Sequence, residues 1–374
     1  MRIHAINALF GDSLLLETGD GKFALIDAGP RPTYDTHVRD HVHAVAGRSA
    51  RLEAVIVSHI DIDHIAGVLD LFADVEQARA DRKRAPFKVK DLWHNSFAET
   101  IDDDEGTVSA GVLEMMTMAG RASQALSSSA IAILGVREGA LLRRMAVKLG
   151  IPINGAFGGG LISPDELADP VRSLGDVELR VVGPTDANLG ELRREWQEWV
   201  DKNLDAFAEG DVQTMANADK SVPNLSSIVL LASNAAGTAL LTGDARGDHI
   251  LQGLEAAGLL DGQGAIHVNL LKLQHHGSDR NVTRTFFRKV TADVYLVSAD
   301  GTYGNPDFPT LKWLVEAARD QGRQPVIVAT NRTDSTDRLL ADLPPGQFGY
   351  TLHIRDPNEH AIVVDVATRQ VVPA

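Results

Sequence analysis

The sequence predicts a layered α/β protein, with two packed sheets and helices on the outside. Three observations carry that expectation. Apolar runs of strand length recur along the whole chain. The first of them are separated only by short Gly/Asp turns, whereas the later ones alternate with helical patterns.

Taken in order, RIHAINALF (2–10), SLLLETG (13–19) and FALIDAG (23–29) are joined by GD and GDGK, which predicts hairpins and antiparallel pairing. A helical pattern over 34–46 follows. The apolar run LEAVIVSH (52–59) then leads into a second helical pattern over 63–75 and a strand FKVKDLWH (87–94). After about residue 176 the rhythm resumes. The strands are VELRVVGP, SIVLLAS, TALLTGD, HVNLLKLQHH, DVYLVSAD, QPVIVATN, YTLHIRD and AIVVDV, and the helical patterns lie near 188–208, 246–258, 282–290 and 308–321. Strands that are apolar on both faces need cover on both sides, hence the outer helices.

Residues 98–175 break that rhythm. They hold Asp102, Asp103, Asp104 and Glu105, a long Ala/Ser/Leu/Met helical pattern and a Gly-rich run, NGAFGGGLISPDE. We read them as a largely helical insertion that covers or shapes the site, inside a single domain spanning 1–374. The stripe Met115, Met116 and Met118 reads as helix packing.

Composition excludes several classes. With 374 residues, 44% hydrophobic, the chain can bury a sizeable core. It has no cysteine, so disulfides and thiolate ligands are excluded, and any metal must be held by His, Asp, Glu and water. A net charge of −15 argues against non-specific grip on nucleic acid. The basic clusters Arg79–Lys90 and Arg284–Lys289 read as solvated faces. MRIHAINALFGDS lacks the apolar core of a signal peptide, and no run is long enough to span a bilayer. A cytoplasmic protein with no membrane role is the expectation.

The chemistry concentrates in SHIDIDH. His59, Asp61, Asp63 and His64 supply four potential metal ligands within six positions, between a buried strand and a helix. Two carboxylates one residue apart would repel in an apolar setting, and a dication removes that cost. Asp244 ends the apolar run TALLTGD, where it can serve a cation or cap the next helix. His275 and His276 end NLLKLQ. Alternation along a strand would point them to opposite faces, so one should reach the metal and the other should not. Asp27 either orients a ligand histidine or forms the turn before Ala28-Gly29. The loop GTYGNPDFPT places Asp300, Tyr303, Asn305 and Asp307 where substrate contacts could fall. In ATNRT, Asn331 and Arg332 are available to an anion.

Four motifs in order, IDAG (26–29), HIDIDH (59–64), TGDA (242–245) and LLKLQHHGS (270–278), resemble the metallo-β-lactamase superfamily. Its usual His-x-His-x-Asp-His carries Asp61 here in place of the second histidine. That variant, with NLSSIVLL (224–231) and HHGS, is similar to the hydrolase domain of the bacterial competence protein ComEC and its soluble relatives. The resemblance implies an αββα sandwich and two divalent metal ions, zinc or manganese. It implies that His59 and Asp61 bind one ion, that Asp63 and His64 bind the other, that Asp244 bridges them and that His276 closes the second site. His275 is then left to touch the substrate, with Ser278 as a hydrogen-bond donor. His94 is the remaining ligand candidate. Many relatives carry a histidine where Asn305 stands, so this loop is not expected to supply a general acid.

The function implied is that of a metal-dependent phosphodiesterase. A hydroxide shared by the two ions would attack phosphorus, with Asp63 orienting it and accepting its proton. Asp61 makes the first site harder and shifts preference from zinc towards manganese. The substrate would be nucleic acid, a nucleotide or a small phosphodiester, and a protein partner or self-association is open. Hydrolysis of a carboxylic ester, lactone or amide ranks second, and a non-catalytic metal-stabilised scaffold third.

Overall fold

The computed structural model describes residues 1–101, 128–208 and 226–373. Short apolar strands at the start of the chain build the first sheet. β1 (Arg2–Ile6), β2 (Leu14–Glu17) and β3 (Phe23–Ile26) form an antiparallel meander, as their Gly/Asp turns predict. β4 (Ala50–Ile56) adds in parallel to β3 after a helical crossover that includes the helix Arg39–Ala46. FKVKDLWH, expected as one strand, is two short ones, β5 (Phe87–Val89) and β6 (Leu92–Trp93), which pair with successive stretches of β4. The polar Lys90-Asp91 step interrupts the run, and Asp91 turns its carboxylate to the backbone N–H groups of Gly155 and Ala156.

The second sheet runs β14-β13-β12-β11-β10-β9-β8-β7. Its members are β7 (Val171–Leu174), β8 (Val177–Gly183), β9 (Val229–Asn234), β10 (Gly237–Leu241), β11 (Ile266–Lys272), β12 (Val290–Val297), β13 (Val326–Ala329) and β14 (Thr351–Ile354). β7 to β10 are antiparallel to one another and β10 to β14 are parallel, so both sheets are mixed. β15 (Ala361–Asp365) and β16 (Gln370–Val372) return to the first sheet beside β1.

The apolar residues sort into three layers. Ile3, Leu16, Ile26 and Ile56 of the first sheet meet Leu179, Leu230, Leu241, Leu270 and Leu296 of the second in the middle layer. Outside the first sheet, Val55 and Leu25 pack under Val38, Val42, Val68 and Phe72 of helices. Outside the second, Leu271 and Tyr295 pack under Ile250, Phe286, Leu311 and Val315. This is a helix–sheet–sheet–helix sandwich with a helical insertion, consistent with the metallo-β-lactamase fold. Among the described residues no helix is long and apolar enough to cross a membrane.

Within 98–175, the helix Ser128–Leu149 packs on the helix Ile62–Ala80. Residues 171–174, assigned to the insertion by sequence, are β7 and belong to the second sheet: their pairing with β8 outweighs the polar VRSL composition. The stripe Met115, Met116 and Met118 and the acidic run 102–105 lie outside the described residues. The helices Asp334–Asp342 and Pro345–Phe348 were not foreseen, because their Asp/Pro/Gly-rich sequence reads as loop.

Candidate metal centre

The site forms where loops from both sheets meet at one end of the sandwich. Beyond β4 the chain turns through Ser58–Asp61 and enters the helix Ile62–Ala80. Asp61 occupies the N-cap position, but its side chain makes no capping bond, so the carboxylate is not spent on the helix. Asp63 and His64 stand in the first helical turn.

From the second sheet comes Asp244, three residues beyond Leu241 at the end of β10. The helix that follows, Gly247–Ala256, has Arg246 at its N-cap. Asp244 is therefore not the cap, and its carboxylate is buried against histidines instead.

β11 ends at Lys272, and His275 and His276 lie beyond it in a turn with φ of 48° and 55°. Strand alternation therefore does not apply to them. Two consecutive left-handed residues bring both rings to Asp244, so the expectation of opposite faces is corrected.

Around Asp244 the geometry is convergent. Its carboxylate oxygens lie 3.3 Å from His64 Nε2, 3.5 Å from His276 Nε2, 3.7 Å from His275 Nε2 and 3.8 Å from His59 Nε2. Asp61 Oδ2 is 3.5 Å from His59 Nε2, and Asp63 Oδ2 is 3.2 Å from His276 Nε2 and 3.9 Å from His64 Nε2.

The outward nitrogen of each ring is tethered. His59 Nδ1 lies 3.1 Å from Ser58 Oγ, and that hydroxyl donates to Asp27 Oδ2 at 2.6 Å. His64 Nδ1 donates to Asp27 Oδ2 at 2.9 Å. His275 Nδ1 donates to Asn281 Oδ1 at 2.8 Å, an amide oriented by its own Nδ2–H donating to Asp244 O at 3.2 Å. His276 Nδ1 donates to Ser298 O at 3.1 Å. With the Nδ1 of His59, His64 and His276 engaged as donors, the Nε2 lone pair of each of these three faces the centre, which is the tautomer a metal ligand needs.

Asp27 thus fixes the His64 ring through Nδ1, and its carboxylate also accepts Ser58 N–H at 2.8 Å. Ser58, Asn281 and Ser298 were missed by sequence reasoning. So was Asp12, whose carboxylate lies beside His276 Nδ1 at 3.2 Å and forms a buried ion pair with Lys272. Asp12 reads as turn punctuation in FGDS. The available signal was Lys272 itself, a lysine in an otherwise apolar strand that must find a buried carboxylate. Gly11 lets this loop reach the site: a Cβ there would stand 2.0 Å from Asp63 O.

The donor set fits divalent metal. His59 Nε2, His64 Nε2, His276 Nε2, Asp61 Oδ1 and Asp244 Oδ1 are buried without hydrogen-bond partners, a costly arrangement unless a cation receives them. One atom from each of Asp12, His64, Asp244 and His276 lies within 4.8 Å of the others. Two ligands about 2.1 Å from one ion stand roughly 3–3.5 Å apart, close to the shorter separations found here. With no cation bound, protons on the rings would take its place among these carboxylates. Burial alone would lower His64 and His276, but Asp244, with Asp27 and Asp12, carries both well above the usual imidazole range. Burial alone would raise Asp244, yet His276, His64 and His275 hold it well below the usual carboxylate range.

The other expected residues fall as follows. His94, beyond β6, is buried with neither ring nitrogen hydrogen-bonded, and burial, then Arg143, pushes it down to about 3. A Cβ on Gly139 of the helix Ser128–Leu149 would stand 3.4 Å from His94 Nε2. Ser278 is buried in the turn, where its hydroxyl accepts Arg280 N–H at 3.4 Å. Asn305 O accepts Gly301 N–H at 3.0 Å and precedes Pro306, which rests on Gly277. Asn331 is engaged within the fold: it donates to Asn7 Oδ1 and Ala299 O and accepts from Arg355. Arg332 pairs with Asp337 at 2.7 Å.

Residues 6–79, which include Asp12, Asp27 and the whole His59–His64 turn, match the family model of the metallo-beta-lactamase superfamily. No curated protein matches the chain. Two solved structures are similar over most of it. One is described as a new diphosphatase from the PhnP family, with 10% identity, a TM-score of 0.37, and coverage of 95% of this chain and 83% of that one. The other is a long-form RNase Z from yeast, with 9% identity, a TM-score of 0.36, and coverage of 98% of this chain and 47% of that one. The chain thus spans about half the length of the yeast protein.

Proposed function

We propose that this protein is a metal-dependent hydrolase acting on a phosphodiester, with two divalent ions held at the junction of the two sheets. The observation that carries the reading is the set of inward Nε2 and carboxylate oxygen atoms, buried and unpartnered, whose outward nitrogens are all tethered. On this reading His59 and Asp61 hold one ion, Asp63, His64 and His276 hold the other, and Asp244 serves both. His94 is the further candidate for the first.

Two such ions, when bound, supply Lewis acidity towards a phosphoryl oxygen and lower the pKa of water. The chain's own residues do the rest. Asp63, less enclosed than Asp244, is placed to hold the proton of the attacking water. His275 is partly exposed, with its Nε2 3.7 Å from Asp244, and is placed at the mouth to meet an anionic substrate oxygen. Asn281 fixes that ring through Nδ1.

The test is metal content per chain by elemental mass spectrometry, followed by parallel phosphodiester and lactone panels. About two equivalents of manganese or zinc, lost in Asp244→Ala, with turnover of diesters only, is the expected result. No metal even after loading with excess zinc or manganese overturns the hydrolase reading. Turnover confined to lactones overturns the substrate class.

A further inference from the structure

The loop after β12 carries an aromatic side chain in an unusual position. Tyr303 is 75% exposed and has φ of 62° in a short turn between Gly301 and Gly304. A left-handed backbone is disfavoured for a bulky non-glycine residue, and an exposed ring gains little from burial. Both costs are carried in the free protein.

The ring is nevertheless held. Phe10 and Tyr303 form a T-shaped pair, with centroids 5.4 Å apart and planes at 87°. Both rings stand on backbone fixed to the metal centre. Phe10 precedes Gly11, whose carbonyl accepts Ser298 Oγ–H at 2.7 Å, and Ser298 O is the acceptor for His276 Nδ1. In the Tyr303 loop, Asp307 N donates to Gly277 O at 3.0 Å, directly after His276. A tyrosine that has a T-shaped partner yet is 75% exposed, on a loop bonded to the turn after His276, has the character of a stacking platform.

We propose that Tyr303, supported by Phe10, is a specificity subsite that stacks the planar ring of a substrate group carried on the phosphate, as in a nucleotide. The subsite rests on the hydrolase reading above and narrows its substrate class. Stacking a base on an aromatic ring typically changes affinity by about 5- to 150-fold.

The test is calorimetric binding of adenosine 5′-monophosphate and of ribose 5-phosphate to the manganese-loaded protein, comparing wild type, Tyr303→Phe and Tyr303→Ala. The expected result is an advantage of at least about 5-fold for the nucleotide in wild type and Tyr303→Phe. In Tyr303→Ala the nucleotide should fall to the level of ribose 5-phosphate, with metal content and melting temperature unchanged. Equal binding of the two ligands by wild type, or an advantage that survives in Tyr303→Ala, overturns the subsite. If ribose 5-phosphate still binds in a metal-dependent way, the subsite alone falls. If neither ligand shows metal-dependent binding, the hydrolase reading falls with it.

Discussion

Lys272→Met is the perturbation that separates the architecture of the centre from its chemistry. Lys272 is 1% exposed at the end of β11, and its ammonium pairs with Asp12, itself 2% exposed. Methionine keeps the length and apolar stem of the side chain and deletes the charge. Burial pushes the Asp12 carboxyl up, but Lys272 and then His276 hold it well below the usual carboxylate range. With the ammonium gone, a buried carboxylate loses its main partner, and breaking a buried pair from one side costs about 3–5 kcal/mol. Asp12→Asn strands the ammonium and should cost a similar amount. The double variant leaves no unpaired charge, so its loss should fall short of the sum by roughly 1–3 kcal/mol. Urea denaturation at neutral pH with chelator present measures all four proteins without the contribution of bound metal. The sign of the pH dependence follows. A carboxyl with a lowered folded pKa contributes stability that is present above its unfolded value and is lost as pH falls through the acid range. Lys272→Met should therefore lose less than wild type on acidification below about pH 4. A single-variant cost below about 1 kcal/mol, or strict additivity in the cycle, would refute the argument that this pair is a coupled buried unit.

Two further outcomes follow from the same geometry. Asp27→Asn removes the charged acceptor of both His64 Nδ1–H and Ser58 Oγ–H, and metal affinity should drop about 10–100-fold by competition against a chromophoric chelator, whereas unchanged affinity would mean that Asp27 only shapes its turn. His41 is buried 3.0 Å from His4 Nδ1 and is pushed down to about 3 by burial, then by His4 and His360. Its folded pKa lies below the unfolded value of about 6.5, so wild-type stability should fall as pH drops from about 6.5 towards 3. Paired urea midpoints at pH 7 and 5 should lie closer together in His41→Gln, and an unaltered gap would assign the loss to other groups, such as His37, which burial and His360 also lower.

What the sequence made legible was whatever rests on local periodicity or on dense ligand spacing. The buried strand and ligand-rich turn at His59–His64 are contiguous, so the gathering of their side chains could be expected from one short stretch. Asp27 and Asp244 were readable because each ends an apolar strand. Asp12, Ser58, Asn281 and Ser298 were not, because their work depends on partners distant in sequence. Asp12 reaches His276 across 264 positions (276 − 12), and in isolation it is a turn residue. The pair His275-His276 shows the limit of periodicity. Alternation is a property of strands, and the strand stops at Lys272, so two left-handed residues place both rings on one side at a backbone cost that the site must offset. The same limit hid β7, whose VRSL composition carries no strand pattern yet pairs along its whole length with β8.

Charge at the centre bears on the choice between a phosphodiester and a neutral ester. Asp61, Asp63 and Asp244 are the carboxylates that face the inward nitrogens, whereas the charge of Asp12 is cancelled by Lys272. If two divalent ions are bound, the three facing carboxylates and the Asp27 carboxylate behind His64 would leave the centre near neutral, and a histidine in place of Asp61 would add one positive charge. A phosphodiester carries one negative charge at neutral pH, whereas a lactone or ester carries none, so each positive charge gained at the centre favours the diester. On the same reading His275, partly exposed and tethered by Asn281, would add a further hydrogen-bonding group beside Asp244. Asp61→His should therefore tighten inhibition by a dianionic phosphomonoester relative to a monoanionic diester, because the added positive charge is worth more to the dianion. On this reading the aspartate at position 61 would tune net charge beside imidazoles that are tethered through Nδ1.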